Sequence, residues 1–363
     1  MAQLVFYRKY RPQTFKEILE QQTIVQTLSN AILENKIAHA YLFCGPRGTG
    51  KTSMARVFAK AINCFNRKDN EYEPCNKCES CNDINNGSSF DVIELDAASN
   101  RGIDEIRNLK DNIKIKPLKS KYKIFIIDEA HQLTEAACNA LLKVLEEPPE
   151  YAIFIFATTN PEKMIPTILS RVQRFDFKRI SLNGIINQLE KICKQENIKY
   201  EKEALKMIAL SARGGVRDSE SILGQVATFD KEVTVQEVVD LIGNVDFYTI
   251  KNFIDLIIQN DKEQCIQFIH KLDEEGFNLL EVNKGIIEYL RNLVLLNISK
   301  DLETIVAQTV TKEELEILKE QAELLDNNKI YKLILAFLQA QNQFYNSPID
   351  SLPLELVILE QLV

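Results

Sequence analysis

Nothing in the 363-residue chain is apolar for long enough to cross a bilayer. The longest aromatic-aliphatic run, Tyr151 to Ala157, falls far short of the roughly 20 residues a spanning helix needs. The opening Met1-Ala-Gln-Leu-Val-Phe-Tyr-Arg-Lys9 lacks the apolar core of a secretion signal. These absences predict a cytoplasmic chain with no membrane partner. Eight cysteines without a signal then argue for thiols or metal ligands rather than disulfides. Positive charge is also in deficit: the net charge is −8. Residues 1–178 carry +3 and residues 179–363 carry −11. Affinity for nucleic acid comes from neutralising phosphates with Lys and Arg. Any such contact therefore belongs to a local basic face of the first part, within an assembly. Glycine and proline are scarce at the end, two of each in residues 244–363, which predicts long uninterrupted helices.

The chain is organised around Gly45-Pro-Arg-Gly-Thr-Gly-Lys-Thr52, which fits the phosphate-loop pattern G-x-x-x-x-G-K-[ST]. Gly45, Gly48 and Gly50 let the backbone turn its N–H groups inward, since a missing Cβ permits positive φ. With the start of the following helix, at Ser53, those groups make an anion nest. Lys51 reaches the β- and γ-phosphates in such loops, and the Thr52 hydroxyl holds Mg²⁺. Tyr41 to Cys44 reads as the strand entering the loop and Ser53 to Ile62 as the helix leaving it. Ahead of it, Arg8-Lys-Tyr-Arg-Pro-Gln-Thr-Phe15 reads as a basic, extended arm, with Pro12 biasing Arg11 away from helix. Thr23 to Asn35 has helical apolar spacing.

Cys64, Cys75, Cys78 and Cys81 follow the loop helix in the pattern C-x₁₀-C-x₂-C-x₂-C. Four thiolates suit tetrahedral Zn²⁺, and no position remains for an activated water, so the site is expected to be structural. Cys44, Cys138, Cys193 and Cys265 are scattered and read as buried thiols.

Asp91 to Asp96 reads as a second strand, and Ile103, Ile106 and Leu109 as the start of an amphipathic helix. Lys123-Ile-Phe-Ile-Ile-Asp-Glu129 is the second anchor. Its continuous apolar run predicts a strand covered on both faces. Asp128 at the strand's carboxyl end is placed to hold Mg²⁺, and Glu129 to polarise an attacking water. Thr134 to Glu147 reads as a helix stopped by Pro148 and Pro149. Tyr151 to Asn160 reads as another covered strand, ending with Thr159 beside the ligand. From Arg179 the strands are expected to stop, apart from a brief extended stretch at Val233 and Val235. His131 completes D-E-A-H, also found in helicases, but residues 179–363 show no second α/β motor domain.

This order of motifs resembles the AAA+ ATPases, and more closely the gamma/tau subunits of bacterial DNA polymerase III. The likeness rests on RKYRPQTF, HAYLFCGPRGTGKTS, the four cysteines, ELDAASN, IIDEAHQLT, NALLKVLEEPPE, FATTN and ILSRV. It implies an α/β P-loop AAA+ module (1–178) with a zinc insert (64–81), a helical lid (179–243) and an all-α collar bundle (244–363). It implies that Arg11, Pro12 and Leu19 line the adenine site. Thr159 corresponds to sensor 1 and Arg217 to sensor 2, while Arg171 corresponds to an arginine finger reaching a neighbour's ATP. Glu20, Asn160 and Val172 depart from the family's usual Gly, Asp and Cys. The implied function is ATP hydrolysis, with Mg²⁺ and Zn²⁺ bound, by a motor without a polymerase site of its own. Its implied partners are delta, delta prime and further gamma/tau copies in a pentameric ring, the sliding clamp, and primer-template DNA.

Overall fold

A computed structural model describes residues 5–99, 112–229, 232–242, 247–307 and 309–362. The expected helix at Ile103, Ile106 and Leu109 lies outside them. The described chain divides into two compact units, Met1–Thr234 and Val235–Val363.

The first unit is built on five parallel strands, β1 (Ala40–Cys44), β2 (Val92–Asp96), β3 (Lys123–Asp128), β4 (Ala152–Thr158) and β5 (Gln173–Asp176). Their order is β2-β3-β4-β1-β5. β1 and β4 are buried throughout, and β3 up to Asp128, as their unbroken apolar runs require. Successive residues face opposite sides of the sheet. Tyr41, Phe43, Ile124, Ile126, Ile153 and Ile155 pack under α2 (Gln22–Leu33) and α3 (Lys51–Asn63). Leu42, Phe125, Ile127, Phe154 and Phe156 pack under α5 (Glu135–Glu146) and α6 (Pro166–Leu169). Burying each such side chain is worth roughly 1.5–3 kcal/mol. β5 was not visible as a strand in the sequence, because Gln173, Arg174 and Asp176 make three of its four residues polar.

Two expectations are corrected. The basic arm is not extended from Arg8: α1 (Phe6–Lys9) is one helical turn, anchored by buried Phe6. Only beyond Tyr10, where Pro12 acts, does the backbone leave the helix. Strands also do not stop at Arg179. β6 (Lys199–Tyr200) pairs in parallel with β7 (Glu232–Val233), while Val235 opens a helix. Two-residue strands are too short for alternation to reveal. Between them run α7 (Leu182–Glu196), α8 (Lys202–Ser211) and α9 (Val216–Phe229). The insert holds a further helix, α4 (Glu79–Asn86).

Among its described residues the second unit has helices and no strand. α10 (Val235–Ile242) belongs to it by its contacts, so this division falls ahead of the expected 243/244 boundary. Helical composition runs on across that stretch and marks no break. α11 (Phe247–Gln259), α12 (Lys262–Glu274), α13 (Leu279–Ile298), α14 (Glu303–Val306), α15 (Lys312–Leu324), α16 (Asn327–Gln343) and α17 (Leu352–Gln361) complete the bundle. Ile286, Leu290 and Leu293 on α13 share one core with Leu318 on α15 and Phe337 on α16. Two polar side chains against that core, Tyr289 and Gln321, find partners. Tyr289 donates to Gln321 Oε1 at 2.5 Å, and Gln321 Nε2 donates to Asp255 Oδ1 at 2.5 Å. Among the described residues, no helix is long and apolar enough to cross a membrane.

Candidate functional site

Parallel sheets bind ligands at the carboxyl ends of their strands. Here those ends bring Cys44 of β1 into register with Thr158 of β4, and Asp96 of β2 with Asp128 of β3. The phosphate loop leaves β1 and enters α3 at Gly50, whose φ of 96° puts it in the left-handed region. Gly45 and Gly48 are held by contact. A Cβ on Gly45 would lie 2.6 Å from the Phe177 carbonyl, and one on Gly48 would lie 2.9 Å from Gly215 Cα. The first contact docks the loop on the sheet. The second docks it on the start of α9, where Val216 N–H donates to the Gly48 carbonyl at 3.0 Å.

A cavity of about 340 Å³ opens over this loop. Arg47, Gly48, Thr49, Gly50, Lys51, Thr52 and Ser53 line it, with Asp128 and Glu129 from the end of β3. Arg11, Pro12 and Leu19 line it from the N-terminal arm, and Arg217 from α9. Lys51 is buried and donates to the carbonyls of Gly45 and Pro46, each at 2.8 Å. Burial lowers its pKa, while the charges of Glu129 and Asp128 pull it back up. Thr52 Oγ1 donates to Asp128 Oδ2 at 2.7 Å, which sets a hydroxyl and a carboxylate side by side as hard oxygen ligands. Glu129 has a φ of 47°, and its Oε2 accepts from Thr159 Oγ1 at 3.2 Å. Thr159 therefore reaches the cavity through Glu129. Its hydroxyl also lies 2.9 Å from Asn160 Oδ1, at that departure from the family, so its one proton is shared between the two acceptors. His131 Nδ1 lies 2.9 Å from Thr158 Oγ1, behind Glu129.

Arg171 is not part of this cavity's wall. It pairs with Glu146 at 2.7 Å and donates to the Thr167 carbonyl at 2.8 Å on a partly exposed surface. Val172 packs against the sheet core. Glu20 has a φ of 53°, the conformation for which glycine is usual. Its carboxylate accepts from Ser181 N–H at 2.7 Å and from Ser181 Oγ at 2.5 Å, tying the arm to the N-cap of α7.

Sequence patterns missed several members of the site. Tyr7 lines the cavity, with the Arg217 guanidinium 4.9 Å from its ring centroid. Asp96, Gln188 and Glu220 line it too. Only the acidic residue following R-D-S on a helix that opens at the phosphate loop could have drawn attention to Glu220.

The cysteine cluster forms apart from the cavity. The four sulfurs all lie within 4.8 Å of one another. Cys64 Sγ is 3.9 Å from Cys78 Sγ, and Cys75 Sγ is 4.0 Å from Cys81 Sγ. Tetrahedral Zn–S bonds of about 2.3 Å require sulfurs about 3.8 Å apart. Backbone N–H groups of Lys77 and Cys78 donate to Cys75 Sγ at 3.4 and 3.3 Å. Burial opposes the Cys75 thiolate, but those bonds together with bonds from the Cys64 and Cys78 side chains lower its pKa, while burial raises the thiols of Cys64 and Cys81. The donor set and its geometry fit a tetrahedral metal.

Three family models match in sequence order. Residues 20–181 match the DNA polymerase III delta subunit, and residues 184–230 the DNA polymerase III clamp loader subunit ATPase lid domain. Residues 233–362 match domain III of the DNA polymerase III subunits gamma and tau. The tau subunit of Bacillus subtilis is 42% identical over 322 residues, 88% of this chain and 57% of that protein. The gamma/tau subunit of Mycoplasma genitalium is 42% identical over 276 residues, 76% of this chain and 46% of that protein. The chain belongs to the gamma/tau family of DNA polymerase III subunits. It spans about half the length of these gamma/tau relatives. Among solved structures, the RuvB branch migration motor of Thermotoga maritima has a TM-score of 0.47 at 16% identity, covering 69% of this chain and 79% of its own.

Glu220 gives this gamma/tau chain a titration that can be checked. Burial pushes its carboxyl up to about 7 from an ordinary 4.5, against the opposing hydrogen bond from Gln188. The folded chain then holds a proton that the unfolded chain releases above pH 4.5. Stability from this group is complete below about 4.5 and is lost as pH rises towards 7, by about 3 kcal/mol in all. Glu220→Gln should remove that slope. Urea unfolding at pH 5 and pH 7.5 checks it, and equal pH dependence in both proteins would refute it.

Proposed function

We propose that the chain is an ATP-driven motor subunit of a clamp loader. The observation that carries this reading is one convergence. Lys51, the Thr52–Asp128 pair and the Thr159–Glu129 pair meet at the ends of β1, β3 and β4, under Arg217 from the lid. Phosphoryl transfer to water needs positioning and charge stabilisation more than covalent chemistry. In this reading Lys51 and the loop N–H groups hold the phosphates. Thr52 and Asp128 hold Mg²⁺, which neutralises charge on the phosphate oxygens. Glu129 polarises the attacking water, oriented by the Thr159 hydroxyl, and Arg217 relays the γ-phosphate to the lid helices. Arg11, Pro12 and Leu19 receive the base. ATP binding orders a ring with delta, delta prime and further gamma/tau copies. That ring holds a sliding clamp open around primer-template DNA, and hydrolysis releases both.

Lys51→Ala should abolish turnover and weaken ATP binding. Glu129→Gln keeps shape and the bond to Thr159, so it should bind ATP almost normally and fail to hydrolyse it. Equilibrium binding and steady-state ATPase, measured with clamp and primed DNA, separate the two. Equal loss of affinity in both variants contradicts these roles.

The cysteine cluster is proposed to hold one structural Zn²⁺ on Cys64, Cys75, Cys78 and Cys81. Metal analysis should return one zinc per chain. Chelation should raise hydrogen exchange across residues 75–81, while β3 and β4 stay protected. Exchange should also rise at Phe15 and Lys16, whose N–H groups donate to Glu73 at 2.9 and 3.1 Å. Zinc-free protein with the same exchange pattern ends the proposal.

Arg171, off its own chain's cavity, is proposed to act on a neighbour's ATP. Arginine fingers supplied in trans are worth about 10³–10⁵ in rate. Arg171→Ala should bind ATP yet turn over slowly. Mixed with Lys51→Ala chains, it should regain activity wherever an intact loop meets an intact Arg171. Mixed assemblies that form but stay inactive exclude action across the interface.

A further inference from the structure

The cavity has two chemically different ends. One is the phosphate loop, reached by the first residue of α9 through the Val216–Gly48 hydrogen bond. Glu220 lies four residues further along α9, about 6 Å at helical rise. It is 4% exposed yet lines the cavity. Its Oε1 accepts from Gln188 Nε2 on α7 at 3.0 Å. Among the described residues it has no cationic partner. Apolar Pro12, Ile18, Leu19 and Ile180 line the same cavity. A buried carboxyl without a cation is costly, and apolar walls with one fixed polar group are how pockets orient a flat ligand.

We propose that Glu220, positioned by Gln188, accepts a hydrogen bond from the exocyclic amine of the nucleotide base. This rests on the nucleotide-site reading above and assigns that site a base-selecting residue. With phosphates on the loop, a base is left the part of the cavity that Pro12, Ile18, Leu19 and Ile180 line together with Glu220. There Gln188 occupies one carboxyl oxygen and leaves the other for the ligand. An amine is the complementary donor. The free oxygen is a full acceptor in the carboxylate form, the form that a donor from the ligand favours.

The test is a cycle between one protein group and one ligand group. Binding of ATP and of purine riboside triphosphate, which lacks only the 6-amino group, is measured by calorimetry on the full chain and on Glu220→Leu. The unaltered chain should prefer ATP by about 10-fold, one hydrogen bond's worth, and Glu220→Leu should lose the preference. Glu220→Gln keeps an acceptor oxygen for the ligand once the Gln188 amide turns over to accept from the new NH2, so it should retain most of it and guards against a folding defect in the leucine variant. An undiminished preference in Glu220→Leu overturns the inference. So does a changed ATP-to-dATP ratio in its place, which would put the carboxyl on the ribose. If the unaltered chain binds neither triphosphate, the nucleotide reading itself fails, a different result from either of these.

Discussion

The first unit depends on two places where backbone meets backbone with no room for a Cβ. Gly45 presses on the Phe177 carbonyl and Gly48 on Gly215. The first contact fixes the phosphate loop to Phe177, the residue just past β5, the strand that pairs with β1. The second fixes it to the entrance of α9. Both glycines also have positive φ, so a side chain would meet strain and collision together. The loop is thereby shaped from both sides before any ligand arrives, and fixed donors cost no reorganisation at the moment of reaction. The same contacts make the loop the junction between sheet and lid. A shift at either side must pass through the residues that would hold phosphate.

Around that junction the acidic groups are arranged by short bonds rather than by proximity alone. Asp128 Oδ2 accepts from Thr52, and its Oδ1 accepts from the N–H of Glu129 at 2.9 Å. That second bond goes with the left-handed turn at Glu129, which carries the next carboxylate away from the first. Two adjacent carboxylates are thus directed to different tasks by one backbone dihedral. Lys51 stands between them and the loop carbonyls, and burial alone would tend to discharge it. Their negative charge supports the ammonium form, which is the form that can hold phosphate.

Much of this was legible in the sequence, for physical reasons. Strands covered on both faces must be continuously apolar, so β1, β3 and β4 announced themselves. Polar residues ending such runs had to lie at the sheet's ligand-binding edge, which located Asp128, Glu129 and Thr159. Cysteine spacing located the cysteine cluster because short x₂ intervals bring sulfurs onto one turn. What escaped was whatever depends on a second element. β5 needed β1 to be a strand. Glu20 looked like a misplaced glycine until Ser181 was seen to be its partner across 161 residues. Glu220 and Gln188 sit on different helices, and neither carries a signal without the other.

The insert is the clearest case of long-range wiring. Lys60 is buried on α3, the helix that carries Lys51 and Thr52. Its ammonium donates to the Gln13 carbonyl at 3.0 Å, to Gln13 Oε1 at 2.6 Å and to Asn76 Oδ1 at 2.8 Å. Asn76 Nδ2 donates back to the Gln13 carbonyl at 3.1 Å, and Gln13 Nε2 donates to the Arg11 carbonyl at 3.0 Å. A buried ammonium must keep its acceptors, so Lys60 cannot release the arm or the insert without loss. Asn76 stands between Cys75 and Cys78, and Arg11 lines the cavity. The cysteine cluster is therefore two hydrogen-bonded residues away from the wall of the cavity. Order in the insert and order in the arm are one quantity. A loop too polar to build a core of its own gains a role in holding the cavity's shape, because the lysine that needs both segments lies on the helix beneath them.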